Sequence, residues 1–325
     1  MHSLSAIIVN YNSGNLLELC INSIIDSDSI KEVIVVDNSS EFLKIYNHKK
    51  IKYLYLDHNY GFASGVNIGV LNAKYDDILV INSDAKLTFD EIDIFIDVSK
   101  NLNYCISQPK ISDIEGILSD GCGTYLDTTY SLIHNNYHGN LNSNINYEGR
   151  VFSIKGSVFF IDRKIFNLIG GMDSDYWCYW EETDLCHRSQ IYGFNVGFVN
   201  LCKFSHIGGY TSNKSSKVKV HSYNFANKLT SHLKNLEFKN LPSAIIWHFV
   251  ISGIFSLLAL FIKRDLKVLL GYIFSLFIVM SRFKKIITKR NIIQKNRKKS
   301  DLEIFRMIGK NISISYYYNL FRNFK

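Results

Sequence analysis

The chain has 325 residues, is 47% hydrophobic and contains only 2 Pro, which fits one large or two medium packed domains and excludes a long disordered linker. Its net charge of +8 is unevenly held: residues 263–325 carry 16 Lys and Arg against 3 Asp and Glu, leaving 21 against 26 in residues 1–262. A basic tail on a mildly acidic body points to an anionic surface met by the C-terminal region alone. The 6 Cys form no C-x-x-C pair, and Met1 leads into Leu4-Ser-Ala-Ile-Ile-Val without a signal-peptide pattern, so reduced thiols in a cytosolic setting are expected.

Leu4 to Val9 is a continuous apolar run, the pattern of a parallel strand buried on both faces. After the polar turn Asn10-Tyr-Asn-Ser-Gly14, apolar residues recur at helical spacing from Asn15, with Ser13 as the expected N-cap. Val33–Val36 and Ile51–Leu56 read as strands. A helix is expected from the Asn59–Gly69 stretch to about Ala73, and a strand over Ile78–Ile81. Short strand–helix–strand connections predict a mostly parallel α/β sheet with helices on its faces. A hydride-transfer enzyme is excluded, because G-x-G-x-x-G is missing after the first strand. Several strands instead end in polar or acidic clusters, at Asn10, Asp37 and Asp84. Taken alone, Asn82-Ser83-Asp84 is equally well an Asx turn.

Residues 101–150 read as exposed loops between short strands, with His134–Tyr147 rich in Gly, Asn and Tyr. Order returns at Val151–Ile161. A helix from Arg163 to about Ile169 stops at Gly170-Gly171, and Tyr176–Trp180 leads into the acids Glu181, Glu182 and Asp184 at a helix start. A second region is expected over 241–325, after a first domain of 1–240. Ala244–Ile262 is 19 residues with only His248 ionisable, Lys263-Arg-Asp265 interrupts, and Leu266–Met280 is apolar apart from Lys267. Nine Lys and Arg then fall between Arg282 and Lys299 with no acid among them. A helical hairpin in or on the cytoplasmic leaflet, peripheral or monotopic through residues 244–299, explains both features. Two spanning helices would place Lys263-Arg-Asp265 on the far side, against the positive-inside tendency. A soluble oligomerisation hairpin is the remaining option, and a nucleic-acid partner is not expected because the apolar runs would go unexplained.

Seven motifs, in order, carry a resemblance. They are I-I-V-N-Y-N (Ile7–Asn12), V-V-D-N-S-S (Val35–Ser40), N-Y-G-F-A-S-G-V-N-I-G (Asn59–Gly69), I-N-S-D (Ile81–Asp84), F-N-L-I-G-G-M-D (Phe166–Asp173), E-E-T-D-L-C (Glu181–Cys186) and H-I-G-G (His206–Gly209). Over about residues 4–210 the chain resembles family 2 glycosyltransferases, specifically their rhamnosyltransferase-like branch. The resemblance implies a GT-A fold, inversion at the anomeric carbon, Mg²⁺ or Mn²⁺, and a nucleotide-sugar donor, with dTDP-rhamnose the one the branch points to. It also implies a lipid-linked saccharide acceptor in cell-surface polysaccharide synthesis; a homo-oligomer is left open.

Residue by residue, it makes Asp84 the metal carboxylate, a hard oxygen ligand, and His206 a further metal ligand that suits Mn²⁺ better than Mg²⁺, unless it is only a turn histidine before Gly208-Gly209. Asn82 stands where many relatives have a first Asp. Asp37 matches the acid that accepts from a ring N–H of the donor base, with Asn10, Tyr11 and Ser83 in the same pocket. Asn59, Gly61, Gly65 and Asn67 match the loop and helix start near the diphosphate; the glycines serve equally well for close helix packing. Glu182 matches the acceptor base, usually Asp, with Asp184 and then Glu181 in reserve. Their other reading is a charged first helical turn. Trp177, Tyr179 and Trp180 are candidates for an acceptor-sugar platform or for core. The rival function is a catalytically weak nucleotide-sugar-binding subunit of a membrane glycan assembly.

Overall fold

A computed structural model of the chain describes residues 2–39, 46–135, 137–140, 149–207 and 216–310. Ser40 and Gly208-Gly209 of the quoted motifs, and most of His134–Tyr147, lie outside them. The chain divides into two compact units: residues 1–124, 134–190 and 194–211, and residues 125–133, 191–193 and 212–325.

The first unit is built on a mixed sheet. Strands β1 (Leu4–Asn10), β2 (Ile30–Asp37), β3 (Ile51–Tyr55) and β4 (Asp77–Asn82) run parallel in the order β4-β1-β2-β3. All of β1 and Ile78–Ile81 of β4 are buried, which is why these strands read as unbroken apolar runs. Helix α1 (Asn15–Ile24) buries Leu17, Cys20, Ile21 and Ile24. Its N-cap is Gly14 with no side-chain bond, not Ser13, whose Oγ lies 2.6 Å from Ser83 Oγ.

Helix α2 (Phe62–Asn72) sits close on β1 because it carries glycine at the contact. A Cβ on Gly65 would fall 2.7 Å from Val9 Cγ1, and one on Gly69 2.4 Å from Ile7 Cγ2. After β4 come β5 (Ala85–Phe89), α3 (Ile92–Asn101), β6 (Tyr104–Ser112) and β7 (Leu118–Asp120). Short strands β8 (Thr124–Asp127), β9 (Leu132–His134), β10 (Tyr137–Asn140) and β11 (Gly149–Arg150) follow. Within residues 101–150, where short strands between exposed loops are expected, β6 is a nearly wholly buried strand of 9 residues. Its Ser107, Gln108 and Ser112 break the apolar pattern yet are satisfied inside. Ser107 Oγ lies 2.7 Å from Ser99 Oγ, Gln108 donates to Gly121 O and accepts from Lys155 N at 2.7 Å each, and Ser112 donates to Phe204 O.

Strand β12 (Val158–Asp162) runs antiparallel between β4 and β6. Asp162 caps α4 (Arg163–Leu168) by accepting from the backbone N–H groups of Lys164 and Ile165. Helix α5 (Glu181–Ile191) leads to the long β13 (Asn195–His206), parallel to β6 and antiparallel to β5.

The second unit contains α6 (Lys217–Asn235), α7 (Leu241–Lys263), α8 (Leu266–Ser281), α9 (Phe283–Lys295) and α10 (Asp301–Ile308). This places α6 with the C-terminal helices, ahead of the sequence-based boundary at residue 240. The C-terminal carbonyls of α6 are capped from α9: Arg290 donates to Leu233 O and Leu236 O at 2.7 Å, and Gln294 to Lys234 O and Asn235 O at 3.0 Å.

Replacing Gly69 by Ala sets a gain in helix propensity of about 1 kcal/mol against overpacking that costs about 1–3 kcal/mol. Because the clash is with a β-branched side chain in a central strand, Gly69→Ala is expected to be net destabilising, by about 1–2 kcal/mol, read as a lower urea midpoint with an unchanged slope.

Candidate active site

Strand register brings polar ends level at one edge of the sheet: Asn10 pairs with Asp37, and Val9 with Asn82. Such carboxyl edges are where open α/β sheets hold ligands. Asn10 Nδ2 donates to Asp37 Oδ1 at 2.8 Å and to Ser39 Oγ at 2.9 Å, and the Ser39 N–H donates to the same Asp37 oxygen. Asn10 and Asp37 are both buried, yet Asn10 Oδ1 has no hydrogen-bond partner among the described residues. An orphaned buried acceptor beside a carboxylate calls for a donor beyond the described residues. Tyr11 follows, half-buried, and Ser83 is engaged with Ser13.

The Asn59–Gly61 loop is held from below by Asn38, which donates to Gly61 O at 3.2 Å and accepts from Tyr60 N at 3.3 Å. Asn59 Oδ1 accepts from the Gly61 N–H at 2.8 Å. Gly61 has φ +85°, and a Cβ there would meet Trp177 O at 2.6 Å, so this glycine serves the close approach of two loops. Gly65 packs on β1. Asn67 bridges away from the edge, accepting from Met172 N at 2.9 Å and donating to Met172 O at 2.8 Å. The geometry gives Gly65 and Asn67 structural tasks.

Asp84 and His206 meet, with Asp84 Oδ1 3.2 Å from His206 Nε2. His206 Nδ1 lies 2.9 Å from Asp120 Oδ2, and Asp120 Oδ1 accepts from Lys155 Nζ at 2.9 Å. Burial pulls His206 toward the neutral form, but Asp120 and Asp84 outweigh it and raise its pKa to about 9. Burial likewise pushes Asp120 up, and the bonds from His206 and Lys155 bring it below the ordinary carboxylate value. Among the described residues no group of three or more His, Cys, Asp or Glu side chains is arranged to hold a metal ion. Asp84 offers a hard carboxylate oxygen and His206 a borderline imidazole nitrogen, to which a phosphate-bearing ligand and water would have to add the rest.

The acid cluster splits into two roles. Asp184 is fully buried and paired with Arg188, Oδ2 to Nε 2.8 Å. Arg188 also donates to Ile169 O at 2.7 Å and Gly171 O at 2.8 Å, and Tyr176 OH donates to Asp184 Oδ1 at 3.3 Å. Glu182 stays partly exposed and lies against Gly156, where a Cβ would stand 3.3 Å from its Cδ. Gly156 precedes Ser157, whose carbonyl accepts from Asn82 N at 2.8 Å, so Glu182 stands at the Asp84 end of the sheet. Burial raises the Glu182 pKa against the pull of its own backbone N–H and of Lys155. Glu181 is buried with Oε2 unpartnered among the described residues, and burial plus the Glu182 charge hold its pKa well above the usual range.

Ahead of α5, Tyr179 and Trp180 both take positive φ, 65° and 71°. For bulky side chains that backbone costs on the order of 1–3 kcal/mol each. Trp180 is buried and its carbonyl accepts the Asp184 N–H, while Trp177 and Tyr179 are half-buried.

The glycosyl transferase family 2 sequence profile matches residues 5–165. The match spans just under half of the chain. The low-salt glycan biosynthesis hexosyltransferase Agl10 of Haloferax volcanii is 28% identical over 209 residues, covering 61% of this chain and 64% of Agl10, which is less than two thirds of that relative. The S. aureus TarS 1-349 structure in complex with UDP-GlcNAc superposes with a TM-score of 0.55 at 14% identity, covering 90% of this chain and 91% of that one. GalNAc-T7 with UDP, GalNAc and Mn²⁺ superposes with a TM-score of 0.54 at 14% identity, covering 72% of this chain and 48% of its own. At that identity these structures bear on fold alone, and the fold is GT-A.

Two residues beside this site escaped sequence reasoning. Asp120 sits at the end of a three-residue strand with no apolar pattern to mark it. Gly156 carries no chemistry of its own. The Asp184–Arg188 spacing of four, by contrast, was a readable sign of a helical ion pair. Asp184→Asn is expected to leave Arg188 charged and uncompensated, costing about 3–5 kcal/mol of stability; a thermal melt that matched the parent chain would remove the structural assignment.

Proposed function

We propose that the chain is an inverting glycosyltransferase that moves a hexose from a nucleoside-diphosphate donor to a lipid-linked saccharide at the cytoplasmic face of a membrane. The observation that carries this reading is that Glu182 and the Asp84–His206 pair stand at one sheet edge with the buried Asn10–Asp37 pair. The hexosyltransferase role of Agl10 and the UDP-GlcNAc bound by TarS support a nucleoside-diphosphate hexose. The motif resemblance favours dTDP-rhamnose among these donors. Asp37 and the open Asn10 Oδ1 offer acceptors to the N–H edge of the base. Loop 59–61 closes over the same end.

Asp84 and His206 would hold a divalent cation, Mg²⁺ or Mn²⁺, which when bound offsets the negative charge that develops on the departing diphosphate. Their facing geometry fits such an ion, which would take the place of the proton on His206 Nε2, and Asp120 fits the partner that fixes the His206 ring so that Nε2 faces Asp84. Glu182 takes the proton of the acceptor hydroxyl. That oxygen bonds to the anomeric carbon from the face opposite the diphosphate, and the bond from that carbon to the diphosphate oxygen breaks with its electron pair. The configuration inverts. Raising the pKa of Glu182 toward the working pH makes it a stronger base while it can still be ionised. Lys155 keeps it from rising further.

Glu182→Gln is expected to lose transfer while retaining donor binding by thermal shift. Equal turnover in variant and parent would leave the rival reading, a weakly catalytic donor-binding subunit. Because the ionised form is the active one and its pKa is raised, kcat/KM of the parent should climb with pH along an acid limb set above the ordinary glutamate value. Asp120→Asn is expected to weaken Mn²⁺ binding about 10–100-fold, read by calorimetry with the donor nucleotide present.

A further inference from the structure

Two helices of the second unit, α7 and α8, have their polarity reversed. On α7 the buried positions are Ala244, His248, Ser252, Ser256 and Ala259, small or polar at a spacing of three to four. The large apolar side chains point outward, with Phe261 75%, Ile262 65% and Ile246 60% exposed. On α8 the buried set is Val268, Gly271, Ser275 and Val279, while Met280 is 71% and Phe277 61% exposed. A helix of a water-soluble unit turns its apolar stripe inward. Small residues at helix contacts with bulky apolar ones outside are what hydrocarbon surroundings favour. Gly271 shows the closeness this allows, since a Cβ there would lie 2.5 Å from His221 Cβ of α6.

Charge says which apolar partner. After a bend of 66°, α9 carries exposed Lys284, Lys285 and Lys295, within a run of nine cations from Arg282 to Lys299 that includes no acid. Each such cation near an anionic leaflet is worth about 1 kcal/mol. Length says which posture. α7, with 23 residues, is long and apolar enough to span, but its hairpin partner α8 has 16 residues and reaches about 24 Å, short of the roughly 30 Å of a hydrocarbon core. α6 packs on α8 and carries exposed Lys217 and Lys219 at the end nearest Gly271. An upright hairpin would draw those lysines into the bilayer, whereas a hairpin lying flat leaves α6 on the water side.

We propose that α7, α8 and α9 form a one-sided platform that lies in the plane of an anionic membrane leaflet, apolar faces in the acyl boundary and the α9 lysines on the headgroups. This deepens the membrane face named in the proposed function and rests on it; because it is read by partition, its failure would leave the transfer reaction, read by turnover, untouched.

The test is flotation of the full chain with vesicles of phosphatidylcholine alone or with about one third phosphatidylglycerol. Binding is expected to the anionic vesicles and to be weaker without the anionic lipid. Phe261→Asp with Phe277→Asp should weaken it at least about tenfold, since one buried Phe is worth that much. Lys284→Glu with Lys285→Glu should remove the preference for phosphatidylglycerol. All four positions are exposed, so the fold should survive, as checked by circular dichroism. A cysteine at the hairpin tip, Arg264→Cys, should react with a membrane-impermeant maleimide added on the side of the rest of the chain, above the wild-type background. A tip protected from that side would overturn the flat posture. Absence of vesicle binding would overturn the proposal, as would a stable dimer in buffer that the Phe substitutions dissociate, which would assign the face to a second copy.

Discussion

The polar edge of the first unit depends on one buried ion pair. Taking Asp184 and Arg188 out of water costs several kcal/mol per ion, returned only when every remaining donor and acceptor is met. Here Arg188 reaches two backbone carbonyls of the 169–171 turn and Tyr176 adds a donor to Asp184. The pair therefore nails α5 to the turn that Asn67 grips from the other side through Met172. A helix advances about 100° per residue, so Glu182 and Asp184 face directions about 200° apart. Fixing Asp184 inward is what turns Glu182 toward the open edge.

Two electrostatic regimes then sit side by side. Asp84, His206, Asp120 and Lys155 alternate in sign, and His206 and Asp120 are stabilised in their charged forms. Glu181 and Glu182 share a sign and little water, so both are pushed toward the neutral form. Their folded pKa values exceed the unfolded ones, so the folded state binds more protons, and their contribution to stability falls as pH rises through that window. Such a cost is tolerated where a base must be poised close to neutrality.

The parallel core was legible because its strands are buried on both faces, so Leu4–Val9 and Ile78–Ile81 announce themselves without any partner in view. Asn10, Asp37 and Asp84 were legible for the same reason: each ends such a run. β6 was not, because Ser107, Gln108 and Ser112 look like loop residues until their partners from distant strands are known. Asp120 was hidden likewise, its meaning lying wholly in His206 and Lys155. The C-terminal helices show the limit from the other side. Their apolar runs were plain, but only the folded arrangement separates the inward Ser252 and Ser256 from the outward Phe261 and Phe277.

The one-methylene departure at position 182 has a structural counterpart. A glutamate sweeps its carboxylate further from the helix than an aspartate does, and a displacement of about 1 Å at the reacting group can cost on the order of 100-fold in rate. In this chain the longer side chain is received by Gly156, which leaves the space a Cβ would take within 3.3 Å of the Glu182 Cδ. Gly156 is itself fixed by its neighbours, since Lys155 is tied to Gln108 and Asp120, and Ser157 accepts from Asn82. The carboxylate thus rests on backbone that cannot retreat, and its extra reach is set by contact on a rigid strand entry. Length at one position and the absence of a side chain at the other form a single steric unit, which is how a glutamate can stand where the family resemblance leads one to expect an aspartate.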